Sequence, residues 1–484
     1  MIQDLPNDRA TESARDTFWL IAIFVGGAIV RFLNLGGKSL WFDEAHGYNV
    51  AQAGFDAFWN RGIEPVHPPL FFLLLGYWSE LGDSEFVLRS SSVILSLLSL
   101  YLIYRLFRGL FGQSVAITVL LLFAFNPLII WYSQELRNYA LLLFFAALST
   151  SALVYAVENQ KWARKLIWFG IFTLSSAGLA YTHYGAIFFV YFQLVFLFVL
   201  IGFKKISFSS LAYWISGIAL GVLLYLPWVN SRVGSAFYNR LLEGQRVAFF
   251  PILYRPILPS GSSILDLITA GAPFIIGLFI FAPILAYFIC RNQRFQNWLA
   301  HIANQGWFRW LVATAFLLVL LIFIIPRGFS VKRHLVVFIP FFLIPIGLLW
   351  PFKQNNFRFL VVFASVSLIG SFYNIYFVPK TEWGEMHELI GDRYLPGDAI
   401  VLNPRYLVHP SSFYSAEDVR YLNLNLTDLE VILTDDDVDG YERIWYIEQP
   451  GSTDLIESLN KTVFEEFRLI ESFEYTRTDV YLLE

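Results

Sequence analysis

The chain has 484 residues, 57% of them hydrophobic and 18% aromatic against 15% charged, with a mean hydropathy of +0.56. Soluble domains carry roughly 25% charged residues, so this composition excludes an ordinary soluble enzyme and implies a polytopic α-helical membrane protein. The single cysteine, Cys290, excludes an intrachain disulfide, and no Cys/His cluster has metal-ligand spacing. Charge is unevenly divided: residues 380–484 hold 8 Lys and Arg against 23 Asp and Glu, net −15, and the remainder 26 against 15, net +11. A basic, apolar body over residues 1–379 is thus followed by an acidic, soluble-looking domain over 380–484, long enough to fold as one small unit.

In chain order, the apolar run Thr17–Leu35 lacks a small-residue cleavage site and reads as an uncleaved first helix with a cytoplasmic N-terminus. Residues 36–85 form a first outer loop, polar and aromatic by turns. It holds Asp43-Glu44, Arg61 and His67-Pro68-Pro69, then the apolar run Leu70–Leu81, which is too short to cross easily and reads as an interfacial or re-entrant helix. The next run, Phe86–Leu106, ends in Arg105 and Arg108, which the positive-inside rule places in the cytoplasm. Further spans are expected at Val115–Trp131, Ala140–Val157, Lys165–Tyr181, Ala186–Ile201, Leu211–Trp228, Ile264–Ile289, Trp310–Ile325, His334–Trp350 and Phe359–Val378. The total is about eleven crossings of roughly 17 to 25 residues each.

In this threading every inner loop is basic: Arg105/Arg108, Lys161/Arg164/Lys165, Lys204/Lys205, Arg291/Arg294 and Lys353/Arg358. An odd number of crossings places the acidic domain outside. The outer face then collects the unusual residues: Asp43, Glu44, Arg61, His67, the segment Tyr132-Ser133-Gln134-Glu135-Leu136-Arg137-Asn138-Tyr139, and Lys332-Arg333-His334. Cations there violate the positive-inside bias, and a negative ligand at the outer surface explains them. Arg137 and Arg333 offer fork-like donors, and Lys332 and His334 add point charge, a set suited to a phosphate or diphosphate. Asp43 and Glu44 would repel a phosphate but suit an attacking hydroxyl, whose proton must be accepted. As neighbours they cannot face one point on a regular helix, so the second is expected to bind the acceptor or orient the loop. The competing structural reading makes them first-turn acids that complement a helix dipole.

The Asp43-Glu44 pair, His67-Pro68-Pro69-Leu70, Gly82-Asp83-Ser84-Glu85-Phe86-Val87-Leu88-Arg89, Tyr132 through Leu141, and Arg333-His334-Leu335 ahead of a Pro-containing helix together resemble the pattern of glycosyltransferase family 39. That family includes protein O-mannosyltransferases and aminoarabinose transferases and has the GT-C membrane fold. The resemblance implies transfer of a sugar from a polyprenyl-phosphate carrier at the outer face to a lipid, glycan or protein acceptor, usually with inversion. It implies Asp43 as general base with Glu44 beside it, Glu135 as the acidic position of the second outer loop, and Arg137 as the phosphate-binding arginine. Lys332, Arg333 and His334 would join Arg137 on the phosphate, with His334 where the family commonly has tyrosine, and Glu135, His67, Arg61 and Tyr139 would line the substrate site. No cofactor, metal or nucleic-acid partner is expected.

The C-terminal domain reads as a small α/β unit with a largely parallel sheet: helical at Trp383–Tyr394 and Leu455–Phe467, strand-like at Ala399–Leu402, Arg443–Ile447 and Asp479–Leu483. The acidic run Asp435–Asp439 lacks a full calcium-loop pattern and reads as a solvated turn. The sequons Asn425-Leu426-Thr427 and Asn460-Lys461-Thr462 would be glycosylated only in a secretory pathway that does so, and because the domain has no cysteine, a bacterial plasma (inner) membrane is expected. The rival to an enzyme is a transporter or flippase for a lipid-linked sugar or another amphipathic anion, which calls for mid-membrane charges and paired repeats. The charges here crowd one face instead.

Overall fold

The computed structural model describes residues 14–56, 59, 67–158, 161–231, 282–303, 305, 333–351, 357–403, 405–416, 419–422, 441–449 and 468–484. The chain begins with helices α1 (Ala14–Phe32), α2 (Phe42–Gln52), α3 (Leu70–Ser79), α4 (Glu85–Phe111), α5 (Gln113–Ala124), α6 (Pro127–Ser133), α7 (Tyr139–Glu158), α8 (Trp162–Thr182), α9 (Ala186–Gly202) and α10 (Ser210–Val229). A last long helix, α11, spans Phe357–Phe377. Among the described residues, four helices are long and apolar enough to cross a membrane, at Glu85–Phe111, Tyr139–Glu158, Ser210–Val229 and Leu360–Phe377, and the bent pair α5–α6 makes a fifth if counted as one span. The chain is a helical membrane protein. The expected crossing Trp310–Ile325 and most of Ile264–Ile289 lie outside the described residues, as do Arg61, Lys332, both sequons, the acidic run and the helix expected at Leu455–Phe467.

Two expected spans are broken. Val115–Trp131 is two helices meeting at 61°. Pro127 has no N–H to give the preceding turn, and Asn126 caps α6 with its side-chain oxygen, accepting from Leu128 N (3.0 Å) and Ile129 N (3.2 Å). Leu128 N is thereby withdrawn from the Ala124 carbonyl, the partner it would have in a continuous helix. Arg31, fully buried in α1, takes that carbonyl through Nη1 at 2.8 Å and reaches Ser96 through Nε at 3.0 Å. The second broken span, His334–Trp350, divides into a 3-10 turn at Arg333–Phe338 and short helices at Ile339–Phe342 and Ile344–Leu349, each with proline in its first turn. Pro340 and Pro345 account for the interruptions.

The short α3 has ten residues, about 15 Å, half the thickness of a bilayer core. The C-terminal region has its own apolar core, including Trp383, Met386, Ile390, Ile400, Trp445 and Leu482. It contains α12 (Trp383–Arg393), β1 (Asp398–Asn403), α13 (Val408–Tyr414), β2 (Tyr421–Leu422), β3 (Arg443–Glu448), β4 (Leu469–Tyr475) and β5 (Thr478–Leu483). The strand order is β2-β1-β3-β5-β4. β1 pairs in parallel with β2 and β3, while β5 is antiparallel to β3 and β4. The sheet is therefore mixed rather than largely parallel, because a tight hairpin joins its last two strands. α13 packs against α2 of the first loop, with Tyr48 edge-on to Phe413 at 5.0 Å.

Asn126→Ala removes the α6 cap and is expected to cost about 1 kcal/mol, read as a lowered Tm in detergent; an unchanged Tm would mean that Arg31 alone holds the bend.

Candidate functional site

The site is built around the first turn of α2. Glu44 sits at the third helical position, where a carboxylate reaches back to the unsatisfied N–H groups of the helix start, and it accepts from Trp41 N at 3.3 Å. It does much more than cap. Arg89 of α4 donates to it from Nε (2.9 Å) and Nη2 (2.8 Å), Lys380 from Nζ (3.0 Å), and Leu136 from its backbone N (2.8 Å). Its side chain is 0% exposed. Burial alone would raise the Glu44 carboxyl, but the charges of Arg89 and Lys380 and these hydrogen bonds outweigh it and hold the group well below the usual carboxylate range.

Arg89 is used completely. Besides its two bonds to Glu44, Nη1 donates to the carbonyls of Leu35 (3.0 Å) and Lys38 (2.6 Å), and Nη2 to that of Ser39 (3.0 Å). All five guanidinium N–H groups are spent on shaping the turn that enters α2. Lys38 in turn donates to the carbonyls of Asn374 (3.3 Å) and Val378 (2.8 Å) at the end of α11.

Asp43 lies about 100° around the helix from Glu44, and its environment is different. Its side chain is 24% exposed, lines a cavity, and meets Nη2 of Arg137 at 3.5 Å, a loose ion pair. Arg137 also donates from Nη1 to the Asp43 carbonyl at 3.1 Å. The loop carrying Arg137 is tied at both ends: Gln134 Nε2 donates to the carbonyls of Leu33 (2.8 Å) and Arg31 (3.1 Å), and Asn138 Nδ2 to that of Thr182 (3.2 Å). Between these ties Glu135 turns into the cavity, nearly fully buried. Burial raises its carboxyl to about 7, with the Glu44 charge adding to the push and Lys380 and Arg137 opposing it.

The cavity has a volume of about 560 Å³ and is lined from both halves of the chain. The membrane-associated half supplies Trp41, Phe42, Asp43, Trp131, Glu135 and Tyr139; the C-terminal half supplies Lys380, Trp383, Tyr406, Gln449, Arg477 and Thr478. The structure thus brings Asp43, Glu44, Glu135, Arg137 and Tyr139 together. His67 is adjacent, with its ring 6.1 Å from that of His183, which is 6.2 Å from Tyr139. Two expectations shift. Glu44, expected in catalysis, is enclosed and saturated, and Arg137, expected on a phosphate, is occupied with Asp43 and is not among the cavity-lining residues. Arg333 and His334 open the 3-10 turn, and their side chains lie outside the described residues. Among the described residues no three His, Cys, Asp or Glu side chains gather where a metal could be held.

Arg89 and Lys380 carry no role in the sequence reading, yet both had a signal. A lone arginine early in a long apolar helix needs a carboxylate partner, and Lys380 directly follows the last span.

Residues 66–230 match the family described as dolichyl-phosphate-mannose-protein mannosyltransferase. No curated protein sequence matches the chain. Among solved structures, ArnT from Cupriavidus metallidurans in the apo state is 13% identical with a TM-score of 0.51, the match covering 97% of this chain and 98% of that one. The same protein bound to undecaprenyl phosphate gives 13% identity, a TM-score of 0.52 and coverage of 96% and 98%. The chain has the GT-C glycosyltransferase fold. The fold implied by the resemblance is therefore borne out over almost the whole length of a solved structure.

A carboxyl raised by folding, as Glu135 is, contributes its stability below its unfolded pKa and loses it as pH rises toward the folded value. Glu135→Gln is therefore expected to melt like the wild type at pH 4 and above it at pH 8, the gap opening between the ordinary glutamate value and about 7. A gap that does not change with pH would show that folding leaves the Glu135 carboxyl unshifted.

Proposed function

We propose that the chain transfers a sugar from a polyprenyl-phosphate-linked donor to a hydroxyl acceptor at the outer face of a bacterial plasma membrane, with Asp43 as general base. The observation that carries this reading is the division between neighbours: Glu44 is saturated by buried donors, while Asp43, held by a single loose ion pair at 3.5 Å, keeps lone pairs for a hydroxyl in the cavity. The acceptor oxygen attacks the anomeric carbon as its proton passes to Asp43. The bond from that carbon to the phosphate oxygen breaks, and the lipid phosphate leaves with the electron pair. A phosphate needs no acid to depart, only positive charge placed where its negative charge grows.

The donor-phosphate role expected for Arg137 is reassigned here. Arg137 orients Asp43 through both its carbonyl and its carboxylate, and phosphate capture passes to Lys380, which lines the cavity and has two N–H groups beyond the one on Glu44, together with Lys332, Arg333 and His334. Glu135, Tyr139, His67 and Arg61 bind sugar hydroxyls, and the C-terminal domain, on the outer side, closes the cavity. Glu44 is a positioning residue.

The test is sugar release and transfer from polyprenyl-phosphate donors by the purified protein in nanodiscs. Asp43→Asn is expected to lower transfer by about 100- to 10,000-fold, the range for loss of a general base, with donor binding retained, while Glu135→Gln stays within about tenfold of wild type. An Asp43→Asn protein that transfers normally removes Asp43 as the base. A wild type that moves the donor across vesicles without transferring or hydrolysing it favours a transporter.

A further inference from the structure

The outer wall of the cavity contains a cation with no assigned task. Thr476 and Arg477 form the two-residue turn between β4 and β5, flanked by the pair Tyr475 and Thr478. Arg477 has φ +66°, a left-handed backbone that glycine or asparagine adopts readily and a long side chain does not. The strain is held in place by Glu382, whose carboxylate accepts from Thr476 N at 2.8 Å and from Thr476 Oγ1 at 2.7 Å. Strained residues fixed by their surroundings cluster at active sites and ligand clamps. Arg477 is exposed, lines the cavity, and makes no hydrogen bond or ion pair with any described residue. Lys380, the other cation on the wall, lies 3.0 Å from Glu44 and has its remaining N–H groups assigned to the donor phosphate.

The rest of the lining indicates what such a fork would read. Trp41, Trp131, Trp383, Tyr139 and Tyr406 give flat apolar faces, which suit the C–H faces of sugar rings. Trp41 Nε1 is buried and has no partner among the described residues. Gln449 directly follows β3 and Thr478 opens β5, and both strands are flanked by other strands. They present side chains rather than an open strand edge, and a peptide docking by strand addition would need that edge.

We propose that Arg477 is a specificity-determining residue for a carbohydrate acceptor carrying an oxyanion, a carboxylate or a phosphate, held on its guanidinium at the outer wall of the cavity. This rests on the transferase reading for the word acceptor, and on the cavity alone for the ligand class. The guanidinium fork matches either oxyanion in two parallel hydrogen bonds, while lysine would offer only a point charge.

The experiment is calorimetric titration of the full chain in nanodiscs with trigalacturonate, maltotriose carrying a 6-phosphate, neutral maltotriose and farnesyl phosphate. One of the two anionic trisaccharides is expected to bind at least about tenfold more tightly than maltotriose, and which one does so identifies the oxyanion. That preference is expected to fall to about twofold or less in Arg477→Gly and in Arg477→Asn, both of which suit the left-handed turn, and to persist in part in Arg477→Lys. The proposal is overturned if no trisaccharide binds, if wild type shows no preference, if Arg477→Gly keeps the preference, or if that variant instead weakens farnesyl phosphate, which would move Arg477 to the donor. The titrations need no turnover. A wild type that binds the anionic sugar through Arg477 yet transfers nothing counts against the transferase reading and leaves the Arg477 site standing.

Discussion

The buried carboxylate of Glu44 is the interaction on which the rest of the site depends. Two cations from distant parts of the chain, Arg89 and Lys380, end on its two oxygens at 2.8–3.0 Å, inside a region closed to solvent. A buried charge is expensive unless its partners and hydrogen bonds are complete, and removing one partner from such an arrangement costs about 3–5 kcal/mol. Here they are complete, and the completeness has a geometric result. The start of α2 is fixed against α4, against the loop at Leu136 and against the chain leaving α11. Asp43, one residue before Glu44, is left facing the cavity because the helix gives it no other direction.

The same arrangement explains why the cavity belongs to both halves of the protein. Lys380 is the first charged residue after α11 and is anchored inward on Glu44, so the chain enters the C-terminal region from a fixed point. Further ties follow the same boundary: Gly384 N donates to Ser39 Oγ at 3.0 Å, Leu40 N to Tyr414 Oη at 2.6 Å, and Tyr414 Oη to Glu85 at 2.8 Å. The C-terminal sheet is in this way held over Asp43 and Glu135 by polar contacts to the first outer loop. Its β4–β5 turn and the end of β3 become walls of the site.

Much of this was legible in the sequence, for an identifiable reason. Asp43, Glu135 and Arg137 stand out because an apolar chain has few charges, and those that break the sidedness rule must meet one another or a ligand. The motifs around them were enough for the fold. What was not legible depended on long-range partners: the division of labour between Asp43 and Glu44 is decided by Arg89, 45 residues away, and by Lys380, 336 residues away. Hydropathy also reads through helix breaks. Val115–Trp131 is one apolar run, and only the cap at Asn126, the missing N–H of Pro127 and the reach of Arg31 turn it into two helices. β4 was missed because its strand is acidic and mostly exposed, a solvent-facing edge whose identity comes from pairing with β5 rather than from an apolar pattern.

The most direct measurement is a double-mutant cycle on unfolding stability in detergent, with Glu44→Gln, Lys380→Met and the two combined. If Glu44 is the shared anchor of the first outer loop and the C-terminal region, the two substitutions are coupled by about 1–3 kcal/mol, the range for residues within one charge network. Additivity within about 0.5 kcal/mol would mean that Lys380 does not depend on Glu44, and the anchoring of one half of the protein on the other would have to lie elsewhere.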